Sequence, residues 1–410
     1  MKKKKAIAFL LDCLNIRKLS QSKPQLSLHN HVVQHLPKNR KQMKKSLIIL
    51  LTIVIFCSCE KETKIDTNYV IAKFQENAEN INSLEYRMQR IDTFAQDGTV
   101  WNNTGIALIE KDKNDKVFGF SFYGKRDDID KEYIYDAGKR FEISKTSKTY
   151  EVEPGNFGFI GSPGGQMVHQ NIFKLDSIYK NITLSETQNS YLLSYEFEND
   201  TVYDVSNRLK VYELNKTDFF PIQIKQTSER LGNKSISIAK FSDIKINENV
   251  TLTIKESKQE LQNYTIIQPE KRKPNKLLSK KLPLMELSDL FDKNTIIKVN
   301  NNKLTLIDFW EVWCSPCIAS FPKVESLKNK FESELNVFGI VSEDYENAIK
   351  MVEKKGTTFQ NLIGNNELEK EFGVNSWPRY FLVDKNGIVQ KEYFGFSEQI
   401  EKDIKEFITK

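Results

Sequence analysis

Residues 306–322 read LIDFWEVWCSPCIASFP. The segment from Lys303 to Trp310, KLTLIDFW, is a nearly continuous apolar run, the pattern of a parallel strand buried on both faces. A helix is expected across 315–331, which puts Cys314 and Cys317 at a strand-to-helix junction. Side chains three apart on a helix are neighbours, so these two sulfurs can close and open a bond with little backbone movement. The unpaired amides and dipole at a helix N-terminus favour a thiolate on Cys314. Cys314, at the exposed end, is the candidate attacking nucleophile. Cys317, one turn inside, is the candidate resolving thiol.

No other cysteine occurs from Glu60 to Lys410. A structural zinc site needs about four ligands, and one distant histidine, His169, is all that remains in that stretch. An inert disulfide closing so short a loop would constrain little. A chance pair in a fold without redox chemistry is the third bland alternative. No metal and no organic cofactor is called for.

The formal net charge of +6 is misleading. Residues 1–45 hold twelve Lys or Arg and one acid, Asp12, and residues 46–59 are uncharged. The chain from Glu60 onward is therefore −5, and no nucleic-acid partner follows from the overall basic balance. Within the leader, MKKSLIILLTIVIFCSCEKE from Met43 has a basic start and an apolar core shorter than a bilayer span. It resembles a bacterial lipoprotein signal, with Cys59 as the lipidated residue. Phe56 and Cys57 depart from the usual pattern, and an ordinary signal peptide or a retained anchor helix are the alternatives. On this reading residues 1–42 are an upstream, disordered extension, 43–59 a signal peptide and 60–66 a tether. Export implies an oxidising compartment. The lone CxxC there is kept for chemistry rather than as a staple.

The 410 residues exceed one ordinary domain. Residues 67–267 alternate in short runs such as KVFGFSFYG and YLLSYEFEND, which predicts antiparallel strands after an opening helix near Val70–Ile81. EPGNFGFIGSPGGQMVHQNIF breaks the pattern and reads as a loop. Residues 268–281, QPEKRKPNKLLSKK, read as an exposed linker. Residues 282–410 follow the order β-α-β-α-β-β-α, with a short strand and a short helix added around TFQNLIG and NELEKEFGV and a closing amphipathic helix.

Two resemblances sharpen this reading. YIYDAGKRFEISKTSKTYEV, Tyr133 to Val152, is similar to a hairpin of the LolA/LolB-type lipoprotein carriers. It implies a curved antiparallel sheet or half-barrel with helices for 67–267, acting as a spacer, a docking module or a holder of an apolar ligand. The stretch around Cys314, with Phe309-Trp310, Trp313, Pro316 and Pro322, resembles the TlpA/ResA-type thiol–disulfide oxidoreductases of the thioredoxin superfamily. FGVNSWPRYFLVDKNGIV is a second matching block. The resemblance implies an α/β thioredoxin fold over 282–410, redox activity at Cys314 and Cys317, and a cis Pro378 facing them. Net reduction of protein disulfides in the bacterial cell envelope is implied, with a membrane thiol reductase as electron donor and a lipid anchor on the membrane. Ser320, where related chains carry an acid, and Arg379, where a small hydroxyl residue is common, depart from the family pattern.

Four further residues are candidates. Asp308 lies in the apolar strand, where burial raises a carboxyl pKa, and a raised carboxyl near Cys317 could take its proton during resolution. Thioredoxins carry an aspartate at the matching position; the alternative is a partly solvated strand end. Trp313 and Trp377, together with Trp310, form either an apolar collar around the dithiol or simple core. Trp377 backbone groups beside a cis proline would pair with an extended substrate segment. Arg379 either favours the Cys314 thiolate by charge or sits solvated at a strand start. A thiol peroxidase of the same fold is disfavoured, because its threonine three residues before the reactive cysteine is Glu311 here. An apolar-ligand-binding lipoprotein with an auxiliary redox domain is the remaining alternative.

Overall fold

The structure is a computed structural model that describes residues 65–94, 98–269, 273–299 and 302–409. The expectations for the upstream extension, the signal peptide, Cys59 and most of the tether lie outside the described residues.

The first described element is α1 (Thr67–Glu79). Asp66 caps it by accepting from the Tyr69 N–H at 3.0 Å, which satisfies an amide with no partner inside the helix. That cap starts the helix upstream of the expected Val70. Val70, Phe74 and Ala78 recur every four residues, share one face and are buried.

Twelve strands then form one sheet. They are β1 (Ser83–Thr93), β2 (Val100–Lys111), β3 (Phe120–Arg126), β4 (Lys131–Asp136), β5 (Lys139–Ser144) and β6 (Thr149–Pro154), then β7 (Asn181–Glu186), β8 (Ser190–Glu196), β9 (Ser206–Asn215), β10 (Pro221–Arg230), β11 (Asn233–Ile246) and β12 (Thr265–Ile266). The order is β12-β6-β5-β4-β3-β2-β1-β11-β10-β9-β8-β7. Two antiparallel meanders, β1–β6 and β7–β11, are thus joined by the β1–β11 pairing. Period-two burial gives one face a core: Leu84, Tyr86 and Met88 from β1 meet Leu193 and Tyr195 from β8 and Tyr212 from β9, with α1 packed on them. The opposite face is covered locally by α2 (Ile254–Gln259), whose Ile254 joins Leu108, Ile134 and Phe141.

The glycine-rich segment 155–172 is more than a loop. It folds into short 3₁₀ turns that place Phe159, Met167 and Ile172 in the sheet core. Tyr86 Oη donates to the Met167 carbonyl at 3.0 Å and accepts from the His169 N–H at 3.1 Å. Close approach demands the missing side chains: a Cβ on Gly124 would lie 2.2 Å from the Gly164 carbonyl oxygen. The sequence signal was composition without period, which carries no information about burial.

The C-terminal part is a second layer structure. β13 (Glu286–Ser288) and β14 (Ile296–Lys298) form a small hairpin that the sequence did not disclose. The main elements are β15 (Leu304–Phe309), α3 (Ser315–Lys330), β16 (Leu335–Val341), α4 (Tyr345–Lys355) and β17 (Gln360–Ile363), followed by α5 (Asn366–Phe372), β18 (Arg379–Val383), β19 (Val389–Phe394) and α6 (Glu398–Thr409). The sheet order is β17-β16-β15-β18-β19, with β15 parallel to β16 and antiparallel to β18. Every residue of central β15 is buried, as an apolar run between two covered faces requires. Ile318, Phe321 and Val324 of α3 and Ile400 and Ile404 of α6 cover one face. Phe372 of α5, with Leu277 and Met285, covers the other. This is the thioredoxin-like arrangement.

The stretch 268–281 is only partly an exposed linker. Asn275 donates to the Phe372 carbonyl at 2.7 Å, and Leu277 and Leu282 are buried beneath β19 and α5. Lysines dominate its composition, but its leucines set its position. Replacing Gly124 by Ala forces the segment 155–172 away from the sheet at Gly164. It should lower the unfolding free energy by about 1–3 kcal/mol in chemical denaturation, whereas Gly161→Ala, into open space, should have little effect. Equal stabilities for the two variants would remove the close-approach argument.

Candidate active site

β15 ends at Phe309, and the loop 310–313 turns the chain into α3. Trp310 fixes this loop. It is fully buried, its N–H donates to the Ile340 carbonyl at 2.9 Å, and its indole donates to Asn361 Oδ1 at 2.9 Å. Cys314 is the N-cap residue of α3, and its Sγ accepts from the Cys317 N–H at 3.2 Å. A sulfur there sits where a capping oxygen would, against an amide that favours negative charge. Cys314 and Cys317 are joined as a disulfide with a Cα–Cα distance of 5.2 Å, inside the range such bonds require. Cys317 is fully buried and Cys314 is 3% exposed, while Trp313 and Pro316 on either side of Cys314 are exposed.

The second sequence block arrives from β18. The Trp377–Pro378 peptide is cis. The Trp313 and Trp377 rings meet edge to face at 5.2 Å, and the Trp313 indole reaches Glu343 at 3.4 Å. Exposed Trp313 and half-buried Trp377 thus pair beside the buried dithiol, whereas Trp310 is buried in the same core cluster as the two cysteines.

Arg379 corrects the alternative that placed it solvated at a strand start. It is 2% exposed, ion-paired to Glu392 at 2.5 Å, bonded to Asn375 and Ser376, and lies over the Phe394 ring. It is therefore not solvated. A buried guanidinium needs a buried carboxylate, and Glu392 on β19 supplies it.

Asp308 is fully buried, and neither of its oxygens has a hydrogen-bond partner among the described residues. Burial alone pushes its carboxyl well above the usual range, so it is held neutral. Strand alternation places it with Leu306 on the face that α3 covers, the helix that carries Cys317. Ser320, one turn beyond Cys317, donates to the Cys317 carbonyl at 2.7 Å and accepts from Tyr380 Oη at 2.8 Å. Burial raises the Tyr380 hydroxyl, and Asp308 adds to the rise only when it is ionised. A hydroxyl pair thus links β18 to the first turns of α3.

Glu311 gave only a negative signal in the sequence. It is 1% exposed; Oε1 accepts from the Ser342 N–H at 2.8 Å, and Oε2 has no partner among the described residues. Burial lifts its pKa to about 8, and the nearby Glu369 and Glu343 add to the rise. Arg230 was missed as well, because no local pattern marks a residue 84 positions before Cys314. Its guanidinium donates to the Val312 and Trp313 carbonyls and to Ser315 Oγ. No group of three or more His, Cys, Asp or Glu among the described residues could hold a metal ion.

A dithiol at a helix tip on this fold defines a thioredoxin-like oxidoreductase, and comparison with known proteins agrees. The Redoxin family model matches residues 279–408. The thiol-disulfide oxidoreductase ResA of Geobacillus thermodenitrificans is 30% identical over 129 residues, 31% of this chain and 73% of the relative. ResA of Bacillus thuringiensis subsp. konkukian is 28% identical over 151 residues, 36% of this chain and 86% of the relative. The crystal structure of StoA from Bacillus subtilis is similar at 18% identity, covering 30% of this chain and 96% of that one, with a TM-score of 0.27. The chain belongs, through its C-terminal part, to the ResA-like thiol–disulfide oxidoreductases.

Glu311 yields a sign for the pH dependence of stability. The folded state keeps its proton up to about pH 8, whereas an unfolded chain releases it near the ordinary value of 4.5. The contribution is therefore present below the unfolded value and is lost as pH rises toward 8. Glu311→Gln should gain stability over the parent between pH 5 and 8, by up to about 1.4 kcal/mol per pH unit, in denaturant titrations. Parallel pH profiles for parent and variant would show that Glu311 ionises normally.

Proposed function

We propose that the protein is an exported, lipid-anchored reductant of protein disulfides in a bacterial cell envelope. The observation that carries the redox reading is the Cys314–Cys317 disulfide at the N-terminus of α3, with the Cys317 amide on the Cys314 sulfur. In the reduced protein, the Cys314 thiolate attacks one sulfur of a partner disulfide. A Cys314–partner disulfide forms, and the first partner sulfur leaves as a thiolate. Cys317, deprotonated, then attacks Cys314, closes the internal disulfide and releases the second partner thiolate. Two electrons pass to the partner, and a membrane thiol reductase returns them.

Asp308 is the group assigned to accept the Cys317 proton: it acts as the carboxylate, once its own proton has left to solvent, and the burial that raises its pKa makes that carboxylate a stronger base. Pro378, with Trp313 and Trp377, forms the surface on which the partner segment lies. The lipid anchor at Cys59 and the envelope location rest on the leader sequence. The initial helix followed by a large antiparallel sheet supports a LolA-like identity for the N-terminal half, used as a docking module.

Cys317→Ser should leave a stable mixed disulfide through Cys314, read on non-reducing gels and by mass spectrometry of the trapped partner. Recovery of no Cys314-linked species from envelope extracts would count against a protein-disulfide substrate. Asp308→Asn should leave the first attack near the parent rate and slow resolution by on the order of 100-fold in stopped-flow traces. Unchanged resolution would remove Asp308 from the mechanism.

A further inference from the structure

The active-site loop is not built by the thioredoxin-like part alone. β10 and β11 are joined by a two-residue turn, Leu231-Gly232, with φ of 50° and 81°. Such hairpin turns favour Asn-Gly or Gly-Gly, because an L side chain is strained at positive φ. Here an apolar residue takes the strained position, and Leu231 packs against the core cluster that contains Cys314 and Cys317. The tip is shaped for that contact rather than for solvent.

Arg230 precedes Leu231 and reaches the CxxC loop. Nη1 donates to the Val312 carbonyl at 3.2 Å and the Trp313 carbonyl at 3.1 Å. Nη2 donates to Ser315 Oγ at 2.6 Å and the Tyr203 carbonyl at 3.0 Å. The guanidinium is thus bonded to residues on both sides of Cys314. A cavity of about 260 Å³ beside it is lined by Ser228, Arg230, Val312, Trp313, Ser315 and Asp344.

The other charged groups around this loop are mostly acidic. β15 contributes Asp308, the loop Glu311, the segment after β16 Glu343 and Asp344, and α5 Glu369. From the β8–β9 loop comes Asp204, which pairs with Lys354 of α4 at 2.8 Å. Lys355 of α4 donates to the Thr201 and Val202 carbonyls. On β18, Arg379 is committed to Glu392 and Tyr380 to Ser320. Arg230 differs from all of these: it is cationic and bonds the loop directly, and among the described residues no carboxylate lies within ion-pairing distance of it, although the Asp204 charge acts on it from further off.

We propose that the N-terminal half completes the active site through Arg230, a positioning residue that clamps the CxxC loop and stabilises the Cys314 thiolate by its charge. This rests on the reading of Cys314 as the attacking sulfur. In the reduced full-length protein, Cys314 alkylation by iodoacetamide follows the thiolate fraction, so its pH–rate profile has a midpoint that reports the thiolate. Arg230→Met should move that midpoint up by roughly one pH unit while leaving the high-pH plateau in place. Arg230→Lys, which keeps the charge but not the planar fork, should return it most of the way toward the parent. A midpoint unmoved in Arg230→Met, with the parent profile normal, would overturn the role of Arg230 and leave the dithiol mechanism standing. So would a lysine variant that matches methionine, because the effect would then be packing and not charge. A parent protein whose Cys314 is not alkylated at any pH would remove both.

Discussion

The structure turns on one contact: the Cys317 amide against the Cys314 sulfur at the first turn of α3. It sets two requirements at once. The sulfurs must stay within bonding reach, and the outer one must see unpaired amides rather than carbonyls. Only the start of a helix meets both, because the first turn leaves its N–H groups without intrahelical partners. The rest of the C-terminal part holds that turn still. β15 is buried along its whole length, Trp310 is anchored on Asn361, and Tyr380 and Ser320 tie β18 to the carbonyl of Cys317.

Burial of carboxylates shows where the fold gives up stability. Elsewhere, buried or half-buried acids have partners: Asp403 accepts from Tyr393 and Gln399, Asp176 from Lys210 and Tyr212, and Glu392 from Arg379. Around the dithiol the pattern reverses. Asp308 has no partner among the described residues, and Glu311 satisfies one oxygen. An unsatisfied buried polar group costs roughly 1–3 kcal/mol, and a charged one more. Both acids answer by holding protons. Their concentration beside the reactive sulfurs fits proton handling better than accident.

The sequence disclosed what is local. The run KLTLIDFW fixed a buried central strand, the CxxC marked the helix start, and Asp308 announced itself as a charge in an apolar stretch. Alternation in β3 and β8 declared an antiparallel sheet. What stayed hidden depends on distant parts of the chain. Arg379 looked like a free cation because Glu392, its partner, sits on the next strand. The segment 155–172 looked like a loop because close packing of Gly124 on Gly164 leaves no period. Arg230 carried no signal at all, since a hairpin tip is defined by its turn and not by what it touches.

The contacts between the two halves are of unequal kinds. The Lys354–Asp204 pair has an exposed lysine, and pairs of that sort contribute about 0–1 kcal/mol. Lys355 adds hydrogen bonds to exposed carbonyls. What distinguishes the junction is Leu231, held at positive φ and packed on the redox core, and the Arg230 fork on the loop. Strain at the turn opposes this contact, while burial of the leucine and the forked hydrogen bonds favour it. The sulfur beside this junction belongs to a residue 3% exposed with its disulfide closed, so the N-terminal half reaches the redox loop beside a cysteine that is already almost buried.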